Sequence, residues 1–176
     1  MNSLRSRLLL LATFLLVFPF FLRRRPRVER RITILAAPEA IFPLLNDLRN
    51  WPLWTVWSRR EKLHFTYSEN SIGAEAEQHW RGKQDGGAMK IVKSEANERL
   101  DYELQMDGAF APIMGRIELL PDGACTRVVW KCAWDRAENP YRRYLDQLMR
   151  WVIGRDFVES LANLKSVVES AAAEKK

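Results

Sequence analysis

The sequence predicts an α+β fold in which an antiparallel β-sheet wraps around a long C-terminal helix. Seven segments have strand character, and turn residues separate most of them. One amphipathic helix follows the first of these strands, and a helical pattern over residues 141–170 follows the last. Strands joined by short turns pair as a meander, and the resulting sheet has to bury one face against the helix.

The N-terminal segment is the first distinct feature of the chain. Residues 8–22 form an unbroken apolar run, LLLLATFLLVFPFFL, between arginines at residues 5–7 and at residues 23–27. A bilayer core of about 30 Å requires about 20 apolar residues, so this shorter run needs local thinning and outward-reaching arginines. We expect a single-pass transmembrane helix, with residues 1–27 as a membrane anchor.

Two other interpretations of the apolar run remain open. A basic start and a short apolar stretch are also typical of a cleaved secretory signal, although arginines follow the run where a small-x-small cleavage site would stand. The segment could also lie in the membrane interface. For an anchor, the larger number of arginines after the run predicts a cell-membrane protein whose soluble domain is cytoplasmic.

The net charge of +6 on 176 residues is unevenly distributed. Eight arginines and one glutamate lie in residues 1–31, which leaves 20 basic against 21 acidic residues in the remainder. The basic excess therefore belongs to the membrane flank, where it can meet anionic headgroups. Residues 28–170 lack the basic surface of a nucleic-acid-binding domain and are predicted to form one ligand-binding domain, followed by a polar tail at 171–176.

The predicted elements follow one another along this domain. Residues 28–35 alternate as a strand, and Pro38 then starts a helix with an apolar stripe that ends near Pro52. The remaining strands are predicted at roughly 62–68, 75–82, 87–95, 98–106, 112–120 and 124–134. Turns at residues 85–87 and 121–123 separate neighbouring strands. The closing helix is expected to bend at Gly154, where its apolar stripe loses the 3.6-residue period.

Several blocks of sequence resemble one known family. They are the stretch 28–57, the segment from Gly73 through His79-Trp80-Arg81-Gly82, the strand residues 126–130 and the helix residues 154–165. In order and spacing they are similar to polyketide cyclase/dehydrase-like proteins of the START-related SRPBCC superfamily, over about 28–168. The resemblance implies a helix-grip fold with an apolar cavity between sheet and helix. Members of the family bind lipids, sterols, polyketides or other hydrophobic molecules, and a minority catalyse cyclisation.

Motifs that would identify a reaction are missing from the sequence. The two histidines, His64 and His79, stand in no metal-binding array, and Cys125 and Cys132 have no catalytic context. No nucleotide-binding or nucleophile motif is found. We therefore predict no metal and no cofactor, identify no catalytic residue, and favour binding over catalysis.

Strand parity identifies the side chains that would reach the cavity. Gln78 shares a face with Trp80, and Tyr102 shares one with Met106, whereas Asp101, Glu103 and Glu118 fall on the outer face. The seven tryptophans either fill a core or line the cavity, and those of segment 51–57 could instead gate it or touch headgroups. The predicted cavity-lining residues are Trp80, Trp130, Tyr102, Met106, Gln78, Met149 and Trp54.

Three functions from different classes are compatible with these observations. The leading hypothesis is a membrane-tethered binding domain for a hydrophobic small molecule, namely a lipid, isoprenoid or polyketide-like compound. The second is a cyclase or dehydratase-type enzyme that acts on a hydrophobic substrate in the same cavity. The third is an interaction module whose core is filled and which has no cavity.

Overall fold

The computed structural model describes residues 2–21, 26–60, 63–83, 86–108, 111–135 and 143–173. Its helices are α1 (Asn2–Val17), α2 (Pro38–Asn46), α3 (Trp51–Trp54), α4 (Trp57–Arg60) and α5 (Arg143–Ala173), with short 3₁₀ segments at Phe18–Phe21 and Leu48–Asn50. Its strands are β1 (Arg27–Ile34), β2 (His64–Tyr67), β3 (Glu77–Arg81), β4 (Gly86–Glu95), β5 (Arg99–Met106), β6 (Ile113–Asp122) and β7 (Cys125–Trp134).

The seven strands form one antiparallel sheet in the order β1-β7-β6-β5-β4-β3-β2. Each of β2 to β6 pairs with the next strand in sequence, and β1 completes the sheet by pairing with β7. All seven predicted strands are present, with ends that differ by one or two residues. The curved antiparallel sheet and the long C-terminal helix fit the helix-grip fold that the resemblance implied.

The expected transmembrane helix is not found. The apolar run contributes to α1, a helix of 16 residues that begins before the run and ends at Val17. Within the described ranges, no helix combines the length and the apolarity needed to cross a bilayer. Some features named in the sequence analysis lie outside the described residues. They are the arginines at 23–25, the predicted turn residue Asp85, the start of the closing helix at 141–142 and the end of the polar tail at 174–176.

Helix α5 changes character along its 31 residues. From Gly154 onward it buries a stripe against the sheet, and its last buried residue is Val168. Leu145 and Leu148, in its first two turns, are 60 and 56 % exposed. Gly154 does not interrupt the helix but lies against the Arg30 guanidinium of β1, where a Cβ would overlap that group. The helix therefore packs tightly on the sheet only beyond its first three turns.

The segment that contains α3 and α4 is held on α5 by a polar row at helical spacing. Ser160 accepts a hydrogen bond from the backbone N–H of Val56 at 3.1 Å, and Asn163 donates to the backbone oxygen of Trp54 at 3.1 Å. Asp156, one turn before Ser160, belongs to the same row and accepts a hydrogen bond from the indole N–H of Trp57. These bonds attach residues 51–57, the Trp-rich segment, to α5.

The pairing register places several chain segments at one end of the sheet. Antiparallel strands alternate in direction, so the β3–β4 and β5–β6 connections and the exit toward α5 all lie at the same end. Arg27 pairs with Ala133, which brings the start of β1 to that end as well. The aromatic rings of Phe18 and Tyr144 lie 6.4 Å apart, so the N-terminal segment meets the start of α5 there.

Gly115 allows a close contact inside the sheet, and the first prediction concerns it. The Tyr102 ring lies flat on β6 at Gly115, where an added Cβ would overlap the ring. We expect Gly115→Ala to lower the free energy of unfolding by about 1–3 kcal/mol because it overpacks a buried site. Urea denaturation followed by far-UV circular dichroism measures this change.

Met114→Ala is the matched control, because Met114 is the preceding residue of β6 and is 46 % exposed on the outer face. Its expected effect is within about 0.5 kcal/mol. Equal effects of the two substitutions would contradict the close packing of Tyr102 on Gly115.

Candidate functional site

A cavity of about 300 Å³ lies between the sheet and the first half of α5. It sits at the end of the sheet where β3 and β5 end and where β4 and β6 begin, beside the first half of α5. Among the described residues, 19 line it, and Asp156 is the one acidic or basic residue of these. The volume is at the lower end of the range of about 300–1,000 Å³ that is usual for small-molecule sites. The geometry therefore offers room for a small, predominantly apolar molecule.

The wall is fully buried on one side of the cavity and partly exposed on the other. Trp51, Met89, Tyr102 and Phe157 are each 2 % exposed and form the floor. Six wall residues that are at least partly exposed lie near the open end of the sheet and form the mouth. They are Leu63, Phe65, Trp80, Met106, Ile113 and Met149.

Two aromatic side chains of the wall pack closely against glycines. The Trp80 indole covers Gly87 on the neighbouring strand, as the Tyr102 ring covers Gly115. Because glycine has no side chain, each ring can approach the backbone of the next strand. This arrangement keeps both rings close to the sheet and leaves the space above them open.

Five of the seven predicted lining residues are on the cavity wall. These are Gln78, Trp80, Tyr102, Met106 and Met149. The other two, Trp54 and Trp130, do not line it and are fully buried in the core.

Trp130 lies directly behind the cavity floor. Its ring stacks on Phe157 at 3.8 Å between centroids, and its indole N–H donates to the Tyr102 hydroxyl at 2.8 Å. Trp51 and Trp57 pack edge-on against it at 6.2 and 5.9 Å. Since all four of these neighbours line the cavity, Trp130 supports the floor without touching the space inside.

Most polar groups of the wall have partners within the protein. The Trp57 indole N–H donates to Asp156 Oδ2 at 3.1 Å, and the Thr55 hydroxyl donates to the backbone oxygen of Trp51 at 2.9 Å. By contrast, the side-chain oxygen of Gln78 is buried and has no hydrogen-bond partner among the described residues.

Burial controls the protonation of two groups on the wall. It raises the pKa of the Tyr102 hydroxyl, and it raises the pKa of the Cys132 thiol to about 12. Both groups therefore remain neutral at physiological pH. Neither is an anionic nucleophile or base in this environment.

The structure gives no metal-binding arrangement in the part of the chain that it describes. No three His, Cys, Asp or Glu side chains there lie close enough to share an ion. His64 and His79 are exposed on the outer strands β2 and β3, and His79 Nε2 is 3.9 Å from Glu77 Oε2. The two cysteines are both free, with Cys132 buried and Cys125 partly exposed.

The main site residue that the sequence prediction omitted is Asp156. It is 4 % exposed and lines the cavity beside Trp57. A signal for it exists, because Asp156, Ser160 and Asn163 recur at i, i+4 and i+7 beside the apolar stripe of α5. A polar row that adjoins a core-facing stripe indicates buried hydrogen bonds, and here these bonds hold the Trp-rich segment.

The fold and the cavity define a helix-grip domain with an enclosed apolar site. The chain belongs to the family described as polyketide cyclase/dehydrase and lipid transport, whose sequence model matches residues 25–169. No match to the chain is found among curated proteins.

Several solved structures have the same fold as this chain. The chain is similar to TTHA0849 from Thermus thermophilus, with 21% identity, a TM-score of 0.61, and coverage of 83% of this chain and 99% of that chain. SA2116 from Staphylococcus aureus gives 10% identity, a TM-score of 0.64, and coverage of 85% and 98%. DynU16, from the dynemicin biosynthetic locus, gives 12% identity, a TM-score of 0.60, and coverage of 83% and 48%. At these identities the likeness establishes the fold.

The second prediction concerns the buried thiol. At pH 7.5 we expect N-ethylmaleimide to modify Cys125 in the folded protein and to leave Cys132 unmodified, because the thiolate is the reactive form. Peptide mass spectrometry identifies the modified residue, and labelling in urea provides the fully reactive reference. Rapid modification of Cys132 in the folded state would contradict a thiol kept protonated by burial.

The same shift fixes the sign of a stability effect. The pKa of Cys132 is higher in the folded than in the unfolded chain, so only the unfolded chain loses this proton between about pH 9 and about pH 12. The free energy of unfolding therefore falls as the pH rises through that interval.

Proposed function

We propose that the domain binds a hydrophobic small molecule, namely a lipid, isoprenoid or polyketide-like compound, in the cavity beneath α5. The observation that carries this proposal is the void itself, with a buried floor of aromatic and aliphatic side chains. Ligand sites are usually concave and mostly apolar, with a few polar groups that fix orientation. The family description, which includes lipid transport, supports the same conclusion.

The cavity distinguishes this proposal from a filled interaction module. A module of that kind would fill the space under α5 with side chains, as the far half of the helix does around Phe157 and Leu161. A dry void without a guest loses packing contacts on one side of every wall residue. A hydrophobic guest would restore those contacts.

An enzyme in the same cavity is the alternative, and one observation favours it. Asp156 is a buried carboxylate on the wall, and buried carboxylates serve as general acids or bases in many sites. However, Asp156 accepts the Trp57 N–H and belongs to the row that holds the Trp-rich segment on α5. This structural task accounts for its burial, so binding remains the proposed function.

The third prediction tests binding by filling the cavity. We expect Leu104→Trp to raise the dissociation constant of N-phenyl-1-naphthylamine, a neutral fluorescent probe, at least about tenfold, because the indole would occupy the space of the guest. Leu120→Trp, at a position that is 45 % exposed on β6, is the control. Equal affinities of the two variants, both folded by circular dichroism, would overturn the proposal.

We further propose that residues 8–22 hold the domain at a membrane with the cavity mouth turned toward it. In support, α1 exposes much of its apolar surface, with Leu9 and Leu10 exposed by 68 and 71 %. The N-terminal segment meets α5 at Tyr144, near the mouth.

The surface beside the mouth has the composition of a membrane-contacting face. Leu148 and Trp151 are 56 and 62 % exposed on the first half of α5, and exposed apolar patches of this kind mark interaction sites. Arg27, Arg30 and Arg150 surround a shallow pocket next to Trp151. Interfacial tryptophan combined with arginine suits a surface of anionic lipid.

The fourth prediction tests this orientation. In a Cys125→Ala background, a fluorophore is attached to Leu148→Cys or, as the matched control, to Val158→Cys, which is exposed on the far half of α5. The full chain is added to vesicles of phosphatidylcholine and phosphatidylglycerol that contain doxyl-labelled lipid. We expect quenching at residue 148 and not at residue 158. Equal quenching, or none at residue 148, would contradict the proposed orientation.

A further inference from the structure

The side-chain oxygen of Gln78 is a buried hydrogen-bond acceptor without a partner in the described part of the protein. The residue is 5 % exposed and lines the cavity. Its neighbours across the strands are Tyr67 on β2 and Met89 on β4. An unsatisfied buried amide is unfavourable, whereas a methionine or leucine of similar size would fit this apolar wall without that cost.

The position of Gln78 suits a group that orients a guest. In the pairing register, Gln78 lies one row inside Trp80, which belongs to the mouth. Met89 and Leu104 continue its row across the sheet toward the middle of the cavity. A guest whose polar end binds Gln78 would therefore place its apolar remainder against these two side chains.

Three other polar groups of the wall already form hydrogen bonds within the protein. The Trp57 N–H is bonded to Asp156, the Thr55 hydroxyl to a backbone oxygen, and the Tyr102 hydroxyl accepts from Trp130. Gln78 differs from these groups because its buried acceptor oxygen has no partner among the described residues, and it is therefore open to a hydrogen bond from a guest.

The charge of the wall limits the chemical class of that guest. Asp156 lines the cavity, and no lysine or arginine is among its lining residues in the described ranges. An ionised fatty acid would bring a second carboxylate into a buried wall that contains Asp156 and no balancing cation among the described residues, which is costly. A neutral group that donates a hydrogen bond avoids this repulsion.

We propose that the cavity is selective for neutral hydrophobic alcohols or amides whose O–H or N–H donates a hydrogen bond to the side-chain oxygen of Gln78. This inference rests on the proposed binding function and names the class of ligand for the same site. It excludes ionised fatty acids as the preferred guests, and it distinguishes a donor group from a group that only accepts.

The experiment compares three probes of similar length with the full chain. 1-Decanol, decyl methyl ether and decanoate at pH 8 each displace N-phenyl-1-naphthylamine, and the displacement gives their affinities. We expect decanol to bind about tenfold more tightly than the ether, the factor that a net hydrogen bond of about 1.4 kcal/mol provides, and decanoate to bind most weakly. Equal affinities of decanol and the ether in the unmodified protein would overturn the inference.

Two glutamine variants assign the preference to one residue. In Gln78→Leu, decanol and the ether are expected to bind equally, and the ligand-free variant should melt at a higher temperature because the unsatisfied amide is gone. Gln105→Leu, an exposed glutamine on β5, should keep the preference for decanol. A preference that survives in Gln78→Leu would overturn the assignment.

Failure of this inference can be told apart from failure of the binding function. If the naphthylamine probe does not bind the unmodified protein at all, both the proposed binding function and the proposed role of Gln78 are wrong. If the probe binds and the three competitors do not differ, only the role of Gln78 falls.

Discussion

The stacking of Trp130 on Phe157 is the contact on which the rest of the structure depends. The rings are 3.8 Å apart and nearly parallel, and they join the last strand to α5 at the middle of the molecule. Beyond Phe157, α5 buries Leu161 and Leu164 against the sheet, and the interior is solid. Before it, the helix stands over the cavity. This contact therefore sets the depth of the site, because it marks where close packing between helix and sheet ends.

The segments around this contact keep the cavity open in complementary ways. The Trp-rich segment is fixed to α5 through Val56 and Ser160, which prevents it from collapsing inward. On the sheet side, glycines let Tyr102 and Trp80 pack closely against the backbone of neighbouring strands. A wall of large side chains thus encloses empty space instead of filling it. Such a void is unfavourable for an isolated protein, which is the physical reason to expect a guest.

The sequence predicts which face of a strand a side chain occupies better than it predicts burial depth, tertiary partners or helix length. Alternation along strands fixes which face a side chain occupies, so the inward positions of Gln78 and Trp80 followed from sequence. Parity does not fix depth, and Trp130 points inward yet lies behind the floor because Phe157 covers it. Asp156 was missed because a buried acid depends on a tertiary partner, Trp57. Hydropathy of residues 8–22 predicted a spanning helix, but it does not determine helix length, and α1 ends at Val17.

Methionine methyl NMR tests the central claim most directly, because the five methionines of the chain include both wall and surface positions. Met89, Met106 and Met149 line the cavity, and Met114 is exposed on the outer face of the sheet. With ¹³C-methyl methionine in the full chain, titration of 1-decanol should shift the three wall resonances and leave that of Met114 unchanged. If the wall resonances shift no more than that of Met114, the cavity does not hold a hydrophobic guest, and the account is wrong.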